Sequence, residues 1–230
     1  MKRCAVWICL ATVLIGFSSC GIRRVSEPED VYLVSALGFD RAGDQLRLSA
    51  EVPLTRENEA EKMEVKCFYG VGETPGEALL DLRSGLAKEL IFGHCALIVL
   101  GDTLTPEDRV TATDFAAHTV QIPLSVPVIS TPDALQLLEK GSLSAPAAGY
   151  DIPEILRQQN KLYVLDLRCR LYEILATTNG TQILPRFLPT DPEQAASDSF
   201  DGLFFYDRFS PVGERKRGEL TPRESEDGGR

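Results

Sequence analysis

The sequence predicts an α+β fold, a mixed β-sheet with helices packed on it. Three observations carry that expectation. Residues 31–72 hold three strand-like runs separated by turn and loop signals. Residues 74–140 hold three Thr-Pro helix starts. Aliphatic runs at 91–101 and 124–130 alternate with those helices.

The elements follow in order. VYLVSALGFD (31–40) is a nearly continuous apolar run with β-branched and aromatic members, the composition of a buried strand. RAGD makes a turn, and QLRLSAEV (45–52) alternates, placing Leu46, Leu48, Ala50 and Val52 on one face. This second run reads as a half-buried strand in a hairpin with the first. A charged loop, TRENEAEK, leads to a third strand, MEVKCFYGVG (63–72). Thr74-Pro75-Gly76-Glu77 supplies an N-cap, a proline at the first helical position and a glutamate three residues after the cap. Leu79, Leu82, Leu86 and Leu90 recur at helical spacing and extend that helix over 75–90, weakened at Gly85.

IFGHCALIVLG (91–101) contains a central strand, and Thr105-Pro106 caps a second helix through about His118, with Val110, Phe115 and Thr119 facing inward. Pro123 and Pro127 bracket a short strand, LSVPVIS, whose prolines point to an edge or a bulge. Thr131-Pro132 caps a third helix, DALQLLEK, ended by Gly141. After a loop at 141–149, residues 152–178 read as helix broken near Asn160, and short strands follow near 181–187 and 202–206. From Gly213 onward the chain is polar and reads as loose.

Ahead of this domain lies an export signal. Lys2 and Arg3 precede a run of 13 uncharged residues, Ala5 to Phe17, then Ser18, Ser19, Cys20 and Gly21. A membrane-crossing helix needs about 20 apolar residues, so the run is short for a permanent span. FSSC resembles the bacterial lipobox. Cys20 is therefore the expected lipidation site: its thiol accepts a diacylglyceryl group, and its freed amine can be acylated. A plain signal peptide ending near a cysteine is the alternative. The plan is a signal peptide (1–19), a lipidated tether (20–30), the α+β domain (31–190), a strand pair (191–214) and a polar flexible tail (215–230).

Without residues 1–19 the chain carries 22 basic and 34 acidic residues, net −12. So acidic a chain is a poor partner for nucleic acid, which needs basic surface to displace counterions. It is also repelled by anionic head groups, so attachment to a membrane falls to the lipid. Three cysteines remain after Cys20: Cys67, Cys95 and Cys169. Their odd number and wide spacing make no disulfide framework, although one pair could bridge. No GxSxG, P-loop or GxGxxG is present, and neither His94 nor His118 sits in a metal-ligand spacing. His118, at a helix C-terminus, suits the helix dipole. The chain reads as non-enzymatic, without cofactor or metal.

Three stretches resemble the C subunit of spore germinant receptors, the Ger(x)C lipoprotein family. Cys20, Arg23-Arg24 and VYLVSALGFD are similar to the family's start, which ends in Gly-hydrophobic-Asp, here Gly38-Phe39-Asp40. The block from Gly72 to Gly101 matches a capped helix, a KELIFGH motif (88–94) and an aliphatic strand ending in glycine. GLFFYDRFSPVGE (202–214) and GELTPRES (218–225) resemble the family's later strand pair and the segment after it. The resemblance implies a longer molecule with a further C-terminal domain of comparable size, and the expectation is that this sequence lacks it.

The resemblance implies a non-enzymatic lipoprotein on the outer face of the inner spore membrane. Its partners would be two integral-membrane subunits, A and B, in a complex that triggers germination in response to nutrients. It carries over no ligand-contacting residue; Phe92-Gly93-His94 reads as structural, with Phe92 buried, Gly93 in a turn and His94 bonded to backbone. The rival readings are a solute-binding lipoprotein serving a membrane transporter and, last, a membrane-tethered hydrolase.

Overall fold

Leu46, Leu48, Ala50 and Val52 are buried on one side of their strand, yet Ser49 and Glu51 on the opposite side are just as buried. The sheet is therefore covered on both faces. The computed structural model describes residues 31–55, 63–140, 147–163, 169–177, 181–189, 200–207 and 210–222. Its strands are β1 (Val31–Leu33), β2 (Ala36–Ala42), β3 (Gln45–Thr55), β4 (Met63–Gly72), β5 (Glu89–Ile91), β6 (Leu97–Gly101), β7 (Val128–Thr131), β8 (Thr181–Phe187), β9 (Phe200–Asp207) and β10 (Ser210–Lys216). Its helices are α1 (Pro75–Ser84), α2 (Pro106–His118), α3 (Ala134–Lys140), α4 (Ala148–Leu162) and α5 (Leu171–Ala176).

Eight strands form one mixed sheet in the order β10-β9-β8-β7-β6-β2-β3-β4, and β1 pairs with β5 in a small second sheet. β2, β6, β7 and β8 run parallel, while β2-β3-β4 and β8-β9-β10 are antiparallel meanders on either side. β2 and β3 meet through a two-residue turn with positive φ at Gly43, a position that suits glycine. Side chains alternate across the central strands. Leu37, Phe39, Ile98 and Leu100 join α1, α2 and α5 in one core. Ala36, Leu97 and Val99 join α3 and α4 in the other. The expected α+β fold, a mixed sheet with helices packed on it, is what the chain forms.

Several elements depart from the sequence reading, each for a local reason. The run 31–40 is two strands: Ser35 and Val34 interrupt it, and β1 leaves the main sheet to pair with β5. α1 stops at Ser84, where Gly85 sends its N–H back to Arg83 O, so Leu90 belongs to β5 rather than to a helix. α2 has the expected bounds, and Phe115 is buried. Val110 and Thr119 are exposed, however, and Arg109, Ala112, Thr113 and Ala116 form the inner face. β7 is central, not an edge, because Pro127 lies just before it and costs the ladder no donor. α4 begins at Ala148, four residues early, but the expected break near Asn160 is present: α4 ends at Leu162 and α5 follows at Leu171. Near the C-terminus β10 runs through Lys216, into the segment read as loose, and Leu220 beyond it is buried.

Candidate functional site

The polar face of the β2–β3 hairpin carries two buried carboxylates, and each is bonded to the start of a helix. Asp40 accepts from Ala134 N (3.0 Å to each oxygen) and Leu135 N (3.1 Å), at the first turn of α3. Arg47 reaches across from β3 and donates one guanidinium nitrogen to Asp40 and to Asp133, 3.0 Å each. Asp133, not Thr131, is the local cap of α3, accepting from Gln136 N at 2.8 Å. One turn further along the hairpin, Glu51 accepts from Ala148 N (2.7 Å), Gly149 N (2.8 Å) and Ser35 Oγ (2.6 Å). Both carboxylates answer the free N–H groups and positive end of a helix dipole. Burial pushes both groups above the usual carboxylate range, and the helix N–H donors pull back against it, joined by Arg47 at Asp40 and by Ser35 at Glu51.

The motif residues have structural roles in this frame. Asp40 of Gly38-Phe39-Asp40 holds α3, while Phe39 packs edge-on against Phe115 of α2 with ring centroids 6.5 Å apart. Gly101, the glycine ending the aliphatic strand, faces Asp40, and any Cβ there would fall on Asp40 Oδ1. Gly70 and Gly72 of β4 lie directly beneath the backbone of α1, so these sheet glycines, and not Gly85, permit its close packing. In KELIFGH, Leu90 and Phe92 are buried and Gly93 and His94 form an exposed turn. No side-chain hydrogen bond of His94 is present among the described residues, against the backbone bond expected of it. Cys20 lies outside the described residues. Cys67, Cys95 and Cys169 are all free thiols. Burial pushes each up to about 12, which makes them poor nucleophiles.

Charged side chains line the carboxyl ends of the parallel strands. Arg41 forms a two-pronged pair with Asp108 (2.7 and 2.9 Å), which holds that carboxyl down at about 2. Asp108 also completes a capping box with Thr105 at the start of α2. Beyond Gly101, Asp102 pairs with Arg186 at 2.6 Å and stands 3.9 Å from Arg109. Arg186 lies 3.5 Å from Asp201, which pairs with Lys216 at 3.1 Å. Arg109 is 3% exposed; it donates to Gly101 O at 3.1 Å and lies 4.7 Å over the Tyr206 ring. A cleft of about 320 Å³ opens here, lined by Asp102, Leu104, Pro106, Arg109, Arg186, Tyr206 and Pro211. Sequence reasoning missed it because its residues come from the loop after β6 and from α2, β8, β9 and β10 and share no spacing.

Among the described residues no cluster of three His, Cys, Asp or Glu side chains could hold a metal ion, and no helix is long and apolar enough to cross a membrane. No curated protein and no solved structure matches the chain. A family model does: the spore germination protein N-terminal domain matches residues 24–187, from Arg24 of the basic pair through the last residue of β8. That span takes in Asp40 and Glu51, which hold the starts of α3 and α4, together with KELIFGH and Gly101. This chain belongs to the spore germination protein N-terminal domain family.

Proposed function

We propose that this chain is a lipid-anchored, non-enzymatic subunit of a germinant receptor complex, required for the nutrient-triggered germination response. Cys20 carries the lipid and holds the domain at the outer face of the inner spore membrane, beside integral-membrane A and B subunits. The observation that carries this reading is the family match over residues 24–187. The motif chemistry agrees with an interaction module: the buried carboxylates, Asp40 and Glu51, hold helices. Cys95 and Cys169 are buried thiols, and their raised values suit packing better than attack on a substrate. A solute-binding lipoprotein with two lobes is less favoured, because Tyr32–Arg230 is one unit built on one main sheet.

Co-purification tests the reading. Tagged chain extracted from spore membranes in mild detergent is expected to retain two multi-span proteins. Recovery of the chain without any multi-span partner contradicts it. The anchor is tested separately with labelled fatty acid: wild type incorporates label and Cys20→Ser does not.

A further inference from the structure

The cleft beside α2 holds a buried cation with unfilled hydrogen bonds. Arg109 is 3% exposed, and its Nη1 has no acceptor among the described residues. Its Nε reaches only Leu104 O at 3.5 Å, and Nη2 reaches Gly101 O at 3.1 Å. Tyr206 covers one face of the guanidinium at 4.7 Å, but a ring face does not satisfy donors that lie in the guanidinium plane. The nearest carboxylate, Asp102, is 3.9 Å away and already committed to Arg186 at 2.6 Å. A buried guanidinium normally has a hydrogen-bonded anion, because leaving it without one forfeits the energy that offsets its desolvation.

The surroundings fit an anion with an apolar body. Leu104, Pro106, Tyr206 and Pro211 supply apolar walls, and Arg109 and Arg186 supply the polar end. Pro106, the first residue of α2, also lines the cleft, while the free N–H groups of that helix start are closed by Thr105 and Asp108. Asp201 and Glu214 flank Lys216 at the far side of Arg186 and leave one net negative charge there, which faces Arg186 through Asp201. At about 320 Å³ the cleft is at the small end of ligand sites. We infer that this cleft binds a small organic carboxylate, drawn by the incompletely paired charge of Arg109 and competing with Asp102 for Arg186, while its apolar part lies against Leu104 and Pro211. This does not depend on receptor membership.

Isothermal titration of the full chain in detergent tests it, with benzoate as probe and benzamide as the neutral control. Benzoate is expected to bind with a Kd below about 1 mM and benzamide not to bind. Arg109→Gln should weaken benzoate at least about tenfold, and Asp102→Asn, by removing the competing carboxylate, should tighten it by about as much. If Arg109→Gln does not fold, Pro211→Glu places a repelling charge on the exposed rim and should give the same loss. Equal binding of benzoate and benzamide overturns the inference. So does the absence of benzoate binding in both wild type and Asp102→Asn.

Discussion

Gly101 leaves the space that the carboxylate of Asp40 occupies: a methyl group at residue 101 would clash with Asp40 Oδ1. Asp40 in turn holds the first turn of α3 through Ala134 and Leu135. Gly101→Ala is therefore expected to displace Asp40 and loosen α3. A cost of about 2–4 kcal/mol follows from overpacking plus lost charge-assisted bonds. Urea unfolding measures it. An unchanged midpoint would show that the carboxylate can move freely.

Asp40→Asn and Glu51→Gln test the two helix anchors directly. Each keeps the volume but turns one accepting oxygen into an NH2 group facing helix N–H donors, and each should cost about 1–3 kcal/mol through the donor left unpaired. Amide exchange should rise first in α3 for the former and in α4 for the latter. Loss spread evenly over the fold would contradict the local assignment.

The two anchors also set a pH dependence. Asp40 and Glu51 titrate above the usual carboxylate range in the folded chain because of burial. The folded state thus holds protons that the unfolded state has released. Their contribution to stability is fully present below the unfolded carboxylate range and falls as pH rises through the raised values. Asp108 acts oppositely: held at about 2 by Arg41, its contribution is present above the ordinary range and is lost as pH falls toward 2. In Glu51→Gln the decline on the alkaline side of the carboxylate range should shrink. Chemical denaturation at a series of pH values shows whether the two profiles differ there.

Thr105 accepts from Asp108 N, and Asp108 returns a bond from Thr105 N, so the start of α2 is closed from both sides. Thr105→Ala should cost about 1 kcal/mol. Thermal unfolding checks it, and an unchanged Tm would mean that Arg41 holds Asp108 in place without the threonine.

The two buried thiols, Cys95 and Cys169, and the half-buried Cys67 give a chemical prediction. With Cys67, Cys95 and Cys169 all pushed up to about 12, a maleimide reagent should label none of them quickly at neutral pH. Fast labelling of Cys95 in the native chain would contradict its placement.

What the sequence revealed depended on where each signal lies. β4 and α2 were legible because their signals are local: a strand-length run in one case, Thr105-Pro106 and an Asp at the third helical position in the other. The start of α4 was not, because Ala147 offers no side-chain cap and the cap comes from Glu51, nearly a hundred residues earlier. The polar side of β3 was misjudged for the same reason. Ser49 and Glu51 look like solvent-facing residues in an alternating strand, yet α3 and α4 bury them. α1 ended early because Gly85 outweighed the spacing of Leu86 and Leu90. The cleft around Arg109 was invisible, since four elements and a loop contribute to it. Cys20, the residue most legible in the sequence, lies outside the described residues, so only chemistry can test it.

Nutrient-triggered germination of spores lacking this chain tests the account most directly, followed as the fall in optical density after nutrient addition. Deletion should abolish or strongly slow the response to at least one nutrient, wild-type chain should restore it, and Cys20→Ser should restore it poorly. Spores that germinate at the wild-type rate with every nutrient tested would contradict a receptor role for this chain.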